Sequence, residues 1–250
     1  MFNLRVDDTE LRVDWIRKFT EFSAAEVTAD GTTLLNKKEP SYIFPDPKAA
    51  NVLYLIGRYR GLGSVIRYNK RDGTIRWHAQ FDTMSRINSV SVDTVNFDDD
   101  LFLCGEAITD EKSNTEPYGS GVEITSQIVR MKNDGEVNWI IDVTGQNPLY
   151  NSATPILNQD RCVAVSYNKQ KENVAVILQG KMGEVRPSYK ADYFDTILVL
   201  ISEGGETEDI VVITQGTTGY DMLNGKNALF WVGNDEVFFA GSSKGFETKR

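Results

Sequence analysis

The chain has 250 residues, 40% hydrophobic, 10% aromatic and 25% charged, a composition that excludes a disordered or collagen-like polymer, and its length fits one large all-β domain or two small ones. Its net charge of -9 argues against nucleic acid or an anionic membrane as a partner, since both are held through clustered Lys and Arg. No window approaches the roughly 18 consecutive apolar residues of a membrane helix, and Met1 to Asp8 lack the basic-then-apolar plan of a signal peptide, so the expectation is a soluble intracellular protein of the cytoplasm.

Taken in chain order, the first recognisable element is a hairpin from Leu4 to Trp15 with an acidic turn at Asp7-Asp8. A less regular segment, Ala25 to Lys48, leads to a strand over Val52 to Gly57. Ser64 to Phe81 forms a second hairpin, turning at Asp72-Gly73. Strands over Ile87 to Val92 and Leu101 to Gly105 flank the polar turn Phe97-Asp98-Asp99-Asp100, and a third hairpin, Val129 to Val143, turns at Asp134-Gly135. The same plan predicts strands over Ala153 to Leu157 and Arg161 to Ser166 around Asn158-Gln159-Asp160, then a hairpin over Ile197 to Leu200 and Ile210 to Ile213. Two last strands, Ala228 to Val232 and Glu236 to Gly241, follow. Asp-Gly between alternating runs predicts a hairpin because both residues tolerate the positive φ that tight turns require.

Three of the hairpins read as copies. Arg5, Arg67 and Arg130 recur at one offset, Trp15, Trp77 and Trp139 at another, and a β-branched residue precedes each Trp by two. Period two then places Ile75, Trp77 and Phe81 on one face and Arg76, His78 and Gln80 on the other. A strand with one dry and one wet face suits the outer strand of a blade. The tryptophans read as anchors between blades. Each Arg reads as the cation of an internal salt bridge to its own acidic turn, or as stacking on its Trp, rather than as part of an anion-binding ring.

Four-stranded units that bury their faces only by stacking on one another describe a β-propeller. The repeat resembles the quinoprotein-type propeller signature, Ala-x-Asp-x-x-Thr-Gly-x-x-x-Trp. Arg67 to Trp77 has its spacing, with Asn69 for the Asp, Asp72 for the Thr, and Gly73 and Trp77 in place; Arg130 to Trp139 is one residue short before Gly135, and Arg5 to Trp15 lacks the Gly. The resemblance implies the fold. It implies a quinone cofactor only for the longer enzyme branch with adjacent cysteines, so no cofactor is expected. The expected architecture is all-β: residues 1–250 as a single β-propeller domain of about four four-stranded blades, one blade completed jointly by the N- and C-terminal strands. An open half of a larger propeller is the alternative.

Cys104 and Cys162 are expected as buried thiols on opposite faces of equivalent strands, not as a disulfide. One histidine, His78, excludes a His-based triad or multi-His metal site, and no metal site is marked by spacing. Variable material gathers instead on one rim, where long segments carry Tyr118, Tyr150, Tyr189, Tyr193, Phe194 and Tyr220. Loops on a rigid scaffold commonly carry function, and Tyr supplies contact area at low entropic cost. The expected function is therefore a non-catalytic scaffold or protein-protein interaction module, a candidate subunit of a larger assembly, binding protein partners through those loops. The second class weighed is a propeller glycoside hydrolase or lectin-like carbohydrate binder using acidic and aromatic loop residues.

Overall fold

The computed structural model describes residues 2–6, 11–16, 26–27, 33–34, 39–46, 48–59, 62–92, 100–108, 124–143, 157–182, 195–214, 221–223 and 229–243. The architecture is all-β, built from antiparallel sheets. Among the described residues no helix is long and apolar enough to cross a membrane. The chain divides into two compact units, Met1–Ile87 and Asn88–Arg250.

The first unit opens with a two-stranded hairpin, β1 (Phe2–Val6) and β2 (Leu11–Ile16), and a short pair, β3 (Glu26–Val27) and β4 (Thr33–Leu34). A four-stranded meander follows: β5 (Glu39–Pro45), β6 (Val52–Tyr59), β7 (Leu62–Asn69) and β8 (Ile75–Phe81). Its interior strands carry the buried Val52, Tyr54, Ile56, Val65, Ile66 and Tyr68. The last strand alternates, with Arg76, His78 and Gln80 exposed and Ile75, Trp77 and Ala79 half-buried. The hairpin between β7 and β8 turns through Gly73 at φ 70, where a side chain would be strained. Asp72 Oδ1 fixes the turn by accepting the Thr74 N–H at 2.9 Å and its hydroxyl at 2.7 Å.

The division between the units falls within β9 (Met84–Val92), which begins the second meander with β10 (Leu101–Ile108), β11 (Ile124–Met131) and β12 (Val137–Val143). A third meander comprises β13 (Leu157–Asn168), β14 (Asn173–Met182), β15 (Asp195–Ser202) and β16 (Thr207–Thr214). Two short pairs complete the unit: β17 (Asp221–Leu223) with β20 (Gly241–Ser243), and β18 (Leu229–Val232) with β19 (Glu236–Phe239).

Two cores organise this unit. Between the second and third sheets, Phe102, Cys104 and Ile128 meet Val174, Val176, Leu178, Ile197 and Val199. On the opposite face of the third sheet, Ala175, Ile177, Leu198 and Leu200 pack with Leu229, Trp231 and Val237 of the β18–β19 pair. Strand β14 therefore buries residues on both sides, and Val174 to Leu178 is a continuous apolar run because neither face is wet there.

Four expectations need correction. First, the third sheet is built differently from the sequence reading. Asn158-Gln159-Asp160 is not a turn between two strands but lies inside the twelve-residue β13, where the pairing with β14 slips between Asn158 and Arg161. The second strand is β14, for which the sequence reading places no strand. Second, Cys104 and Cys162 form a disulfide, with Cα atoms 5.6 Å apart. Once β13 is a first strand and β10 a second strand of the neighbouring sheet, the two cysteines face one another across the sheet interface. Third, among the described residues no ladder joins β1–β2 to β18–β19, each pair being its own two-stranded sheet. Fourth, the N-terminal hairpin does not keep the register of its copies, since Arg5 pairs with Arg12 and Trp15 with Asn3. Arg67, in contrast, lies opposite Trp77, and Arg130 opposite Trp139.

Candidate functional site

In the two complete copies the recurring Arg lies in the middle of a three-strand ladder. Tyr54, Arg67 and Trp77 are cross-strand neighbours on β6, β7 and β8, and Phe102, Arg130 and Trp139 occupy the same places on β10, β11 and β12. Arg67 lies over the Tyr54 ring at 5.6 Å and Arg130 over the Phe102 ring at 5.7 Å. The partner acid is not in the hairpin turn. Arg67 Nη2 donates to Asp46 at 2.9 Å, and Arg130 Nε donates to Asp100 at 2.6 Å, both acids standing before the second strand of their sheet. Asp134, in the hairpin turn, instead accepts the Glu136 N–H at 2.9 Å beside Gly135, whose φ is 99.

Asp46 is a knot for the first unit. Its carboxylate accepts the backbone N–H groups of Lys48 and Ala49, the Tyr54 hydroxyl and Arg67. Burial alone would raise its pKa, yet these four donors outweigh burial and hold it below the ordinary carboxylate value.

In the second unit the ladder becomes a latch between sheets. The turn between β15 and β16 brings Glu203 against Arg130, which donates Nη1 to the Glu203 carbonyl at 2.9 Å and Nη2 to its carboxylate. Trp139 Nε1 donates to the same carbonyl at 2.9 Å, the Tyr167 hydroxyl to the carboxylate at 2.8 Å, and Lys169 approaches it at 3.5 Å. Phe102 stacks on Tyr167 with ring centroids 4.2 Å apart. Gly205 follows at φ 94, and a Cβ there would stand 3.4 Å from the Trp139 ring. Burial pushes the Glu203 carboxyl up, but Tyr167, Arg130 and Lys169 together hold it below its ordinary value. Arg130, for its part, is raised despite burial, by Asp100 and Glu203.

The third sheet has no such ladder. Ala175, Leu200 and Asp209 stand where the aromatic, the Arg and the Trp would be. Its link to the next pair uses Trp231, whose Nε1 donates to the Ser166 carbonyl at 3.1 Å, and Asn168, whose amide reaches the carbonyls of Gly233 and Asn234. A second polar group runs along the same interface. The Asn88 amide donates to the buried Glu106 at 2.9 Å and to the Cys162 carbonyl at 2.8 Å, while Ser89 and Ser91 accept the N–H groups of Val165 and Tyr167.

One surface differs in character. On β18–β19, Phe230 and Phe238 are paired in register and stacked at 5.9 Å, each 50% exposed, beside exposed Val232 and Phe239. On β8, by contrast, the exposed positions are Arg76, His78 and Gln80.

Of the residues singled out from sequence, Arg67, Trp77, Arg130 and Trp139 are brought into the ladders, and Asp72, Gly73, Asp134 and Gly135 form hairpin turns. Arg5 and Trp15 are placed by backbone only, in β1 and β2. Tyr118, Tyr150, Tyr189, Tyr193, Phe194 and Tyr220 lie outside the described residues. Asp46, Asp100, Tyr167 and Glu203 were not anticipated. A signal existed for Glu203, which stands before Gly204-Gly205 as Asp134 stands before Gly135. Among the described residues no group of three His, Cys, Asp or Glu is placed to hold a metal ion. No protein-family profile matches the chain, and no curated protein is significantly similar to it.

Proposed function

We propose that the chain is a β-propeller scaffold of about four blades that acts as a non-catalytic protein-protein interaction module, binding through the tyrosine-bearing loops of one rim. The observation that carries the reading is how the charged groups are used. Asp46, Asp100, Glu203, Arg67 and Arg130 are all engaged in holding strands and sheets together. Asp46 and Glu203 are held below their ordinary pKa values, opposite in sense to the raised carboxyl that general-acid chemistry uses. Three regular four-stranded sheets supply the rigidity on which loops can be displayed. The exposed Phe230 and Phe238 stack adds support, since contiguous exposed aromatics mark interaction surfaces more often than catalytic ones.

The test is capture of partners from native extract by the intact protein and by a Tyr189→Ser, Tyr193→Ser, Tyr220→Ser variant. The reading expects specific partners with the first and their loss with the second. An unchanged set of partners would sink it.

A further inference from the structure

Among the described residues the second and third sheets share no backbone ladder, and the disulfide Cys104–Cys162 is a covalent bond across their interface, beside contacts made by side chains. Both cysteines are fully buried, inside the core formed by the two sheets. Their position along the strands matters. Phe102 and Tyr167, stacked on each other, mark the level of the Glu203 latch. Cys104 lies two residues further along β10, and Cys162 five residues earlier on the oppositely running β13. Beyond them, in the same direction, come Glu106 and Asn88, with Asn88 bonded to the Cys162 carbonyl. The interface is thus fastened at one end by an ion-pair latch and further along by a bond that thiol chemistry can open.

We propose that Cys104–Cys162 is a redox-sensitive clamp that sets how tightly the Glu106 end of the second and third sheets is held, while the Glu203 latch keeps the other end closed in both states. Opening proceeds by thiol–disulfide exchange. Two thiols of a glutathione-type reductant give up two electrons and two protons, the S–S bond breaks to leave the Cys104 and Cys162 thiols, and the reductant leaves as its own disulfide. Closing is the reverse, with glutathione disulfide as the oxidant. Because both sulfurs are buried, exchange requires the sheets to part locally, and Asn88, bonded to the Cys162 carbonyl, is the first polar contact such a movement disturbs.

The experiment uses the full chain in oxidised and reduced glutathione buffers, with thiol alkylation after denaturation and amide hydrogen exchange resolved along the strands. The oxidised protein is expected to yield no alkylated thiol and the reduced protein two. Reduction is expected to speed exchange at least tenfold at Glu106 and Ala107 while leaving Phe102 and Met131 within a factor of two. A Cys104→Ser variant is expected to show the reduced pattern in both buffers, which separates loss of the bond from effects of the buffer. Two free thiols in the oxidising buffer would overturn the proposal, as would exchange that is unchanged by reduction or that rises equally at both ends. The outcome does not pass through the proposed binding loops, so it stands or falls apart from them.

Discussion

Glu203 shows how one side chain in a turn can decide the packing of a sheet. It is an ordinary surface residue by composition, yet its carboxylate and carbonyl receive Arg130, Trp139 and Tyr167. Removing the charge strands a partly buried guanidinium with Asp100 alone, so Glu203→Gln should lower stability at neutral pH by about 1–3 kcal/mol, read by urea unfolding. The pH dependence follows from the direction of the shifts. Glu203 and Asp46 are both depressed below 4.5 and 3.8 respectively, so their stabilisation is complete above those values and is lost as pH falls through the lower folded ones. The urea midpoint of the wild type should hold from neutrality to about pH 5 and decline below. Glu203→Gln should start lower and decline less; parallel curves would show that Glu203 does not carry the acid transition. Trp139→Phe keeps the ring contact but removes the indole N–H, and should cost about 1 kcal/mol.

Among elements, the hairpins with Asp-Gly or Glu-Gly-Gly turns were readable because turn chemistry and alternation agree there. The β7–β8, β11–β12 and β15–β16 hairpins all fall where the sequence places them. The third sheet was misread where those two signals disagree. Asn158-Gln159-Asp160 has the composition of a turn but is carried inside β13 by a slip in register, while the true turn, Lys169 to Glu172, lacks Gly and is organised by Asn168, whose side chain accepts the Gln170 N–H at 3.0 Å. Glu172 adopts φ 56 there, a conformation that composition does not announce. The disulfide was hidden by the same error, since treating the two cysteine-bearing strands as equivalent sends the sulfurs apart. Structural disulfides persist in oxidising compartments, so this bond weighs against the cytoplasmic location expected from the sequence. With the cysteines 58 positions apart in sequence, chain-entropy reasoning puts its contribution at about 4 kcal/mol. Reduction and Cys162→Ser should lower the thermal midpoint by the same amount; no shift would mean the bond is absent in solution. Gly205→Ala, which forces a side chain to φ 94 against Trp139, should cost about 1–2 kcal/mol.

For the whole molecule, the repeat is legible as architecture and silent as chemistry. Arg67, Trp77, Arg130 and Trp139 recur because the first and second sheets each place a cation and an aromatic at the same positions, and the acids that answer them, Asp46, Asp100 and Glu203, are contributed by turns whose lengths differ from sheet to sheet. No fixed spacing in sequence could have named those partners. If the repeat serves architecture and the loops serve binding, the two should separate experimentally. Tyr189→Ser and Tyr220→Ser should leave the unfolding midpoint within about 0.5 kcal/mol of wild type while weakening capture of partners.

The claim that Arg130 and Trp139 of the repeat latch the second sheet to the third is tested most directly by a double-mutant cycle. Arg130→Leu, Glu203→Gln and the double variant, unfolded in urea at pH 7, should give a coupling energy of at least about 1 kcal/mol, because each residue's effect is realised through the other. Additive losses, within about 0.3–0.5 kcal/mol, would contradict the account.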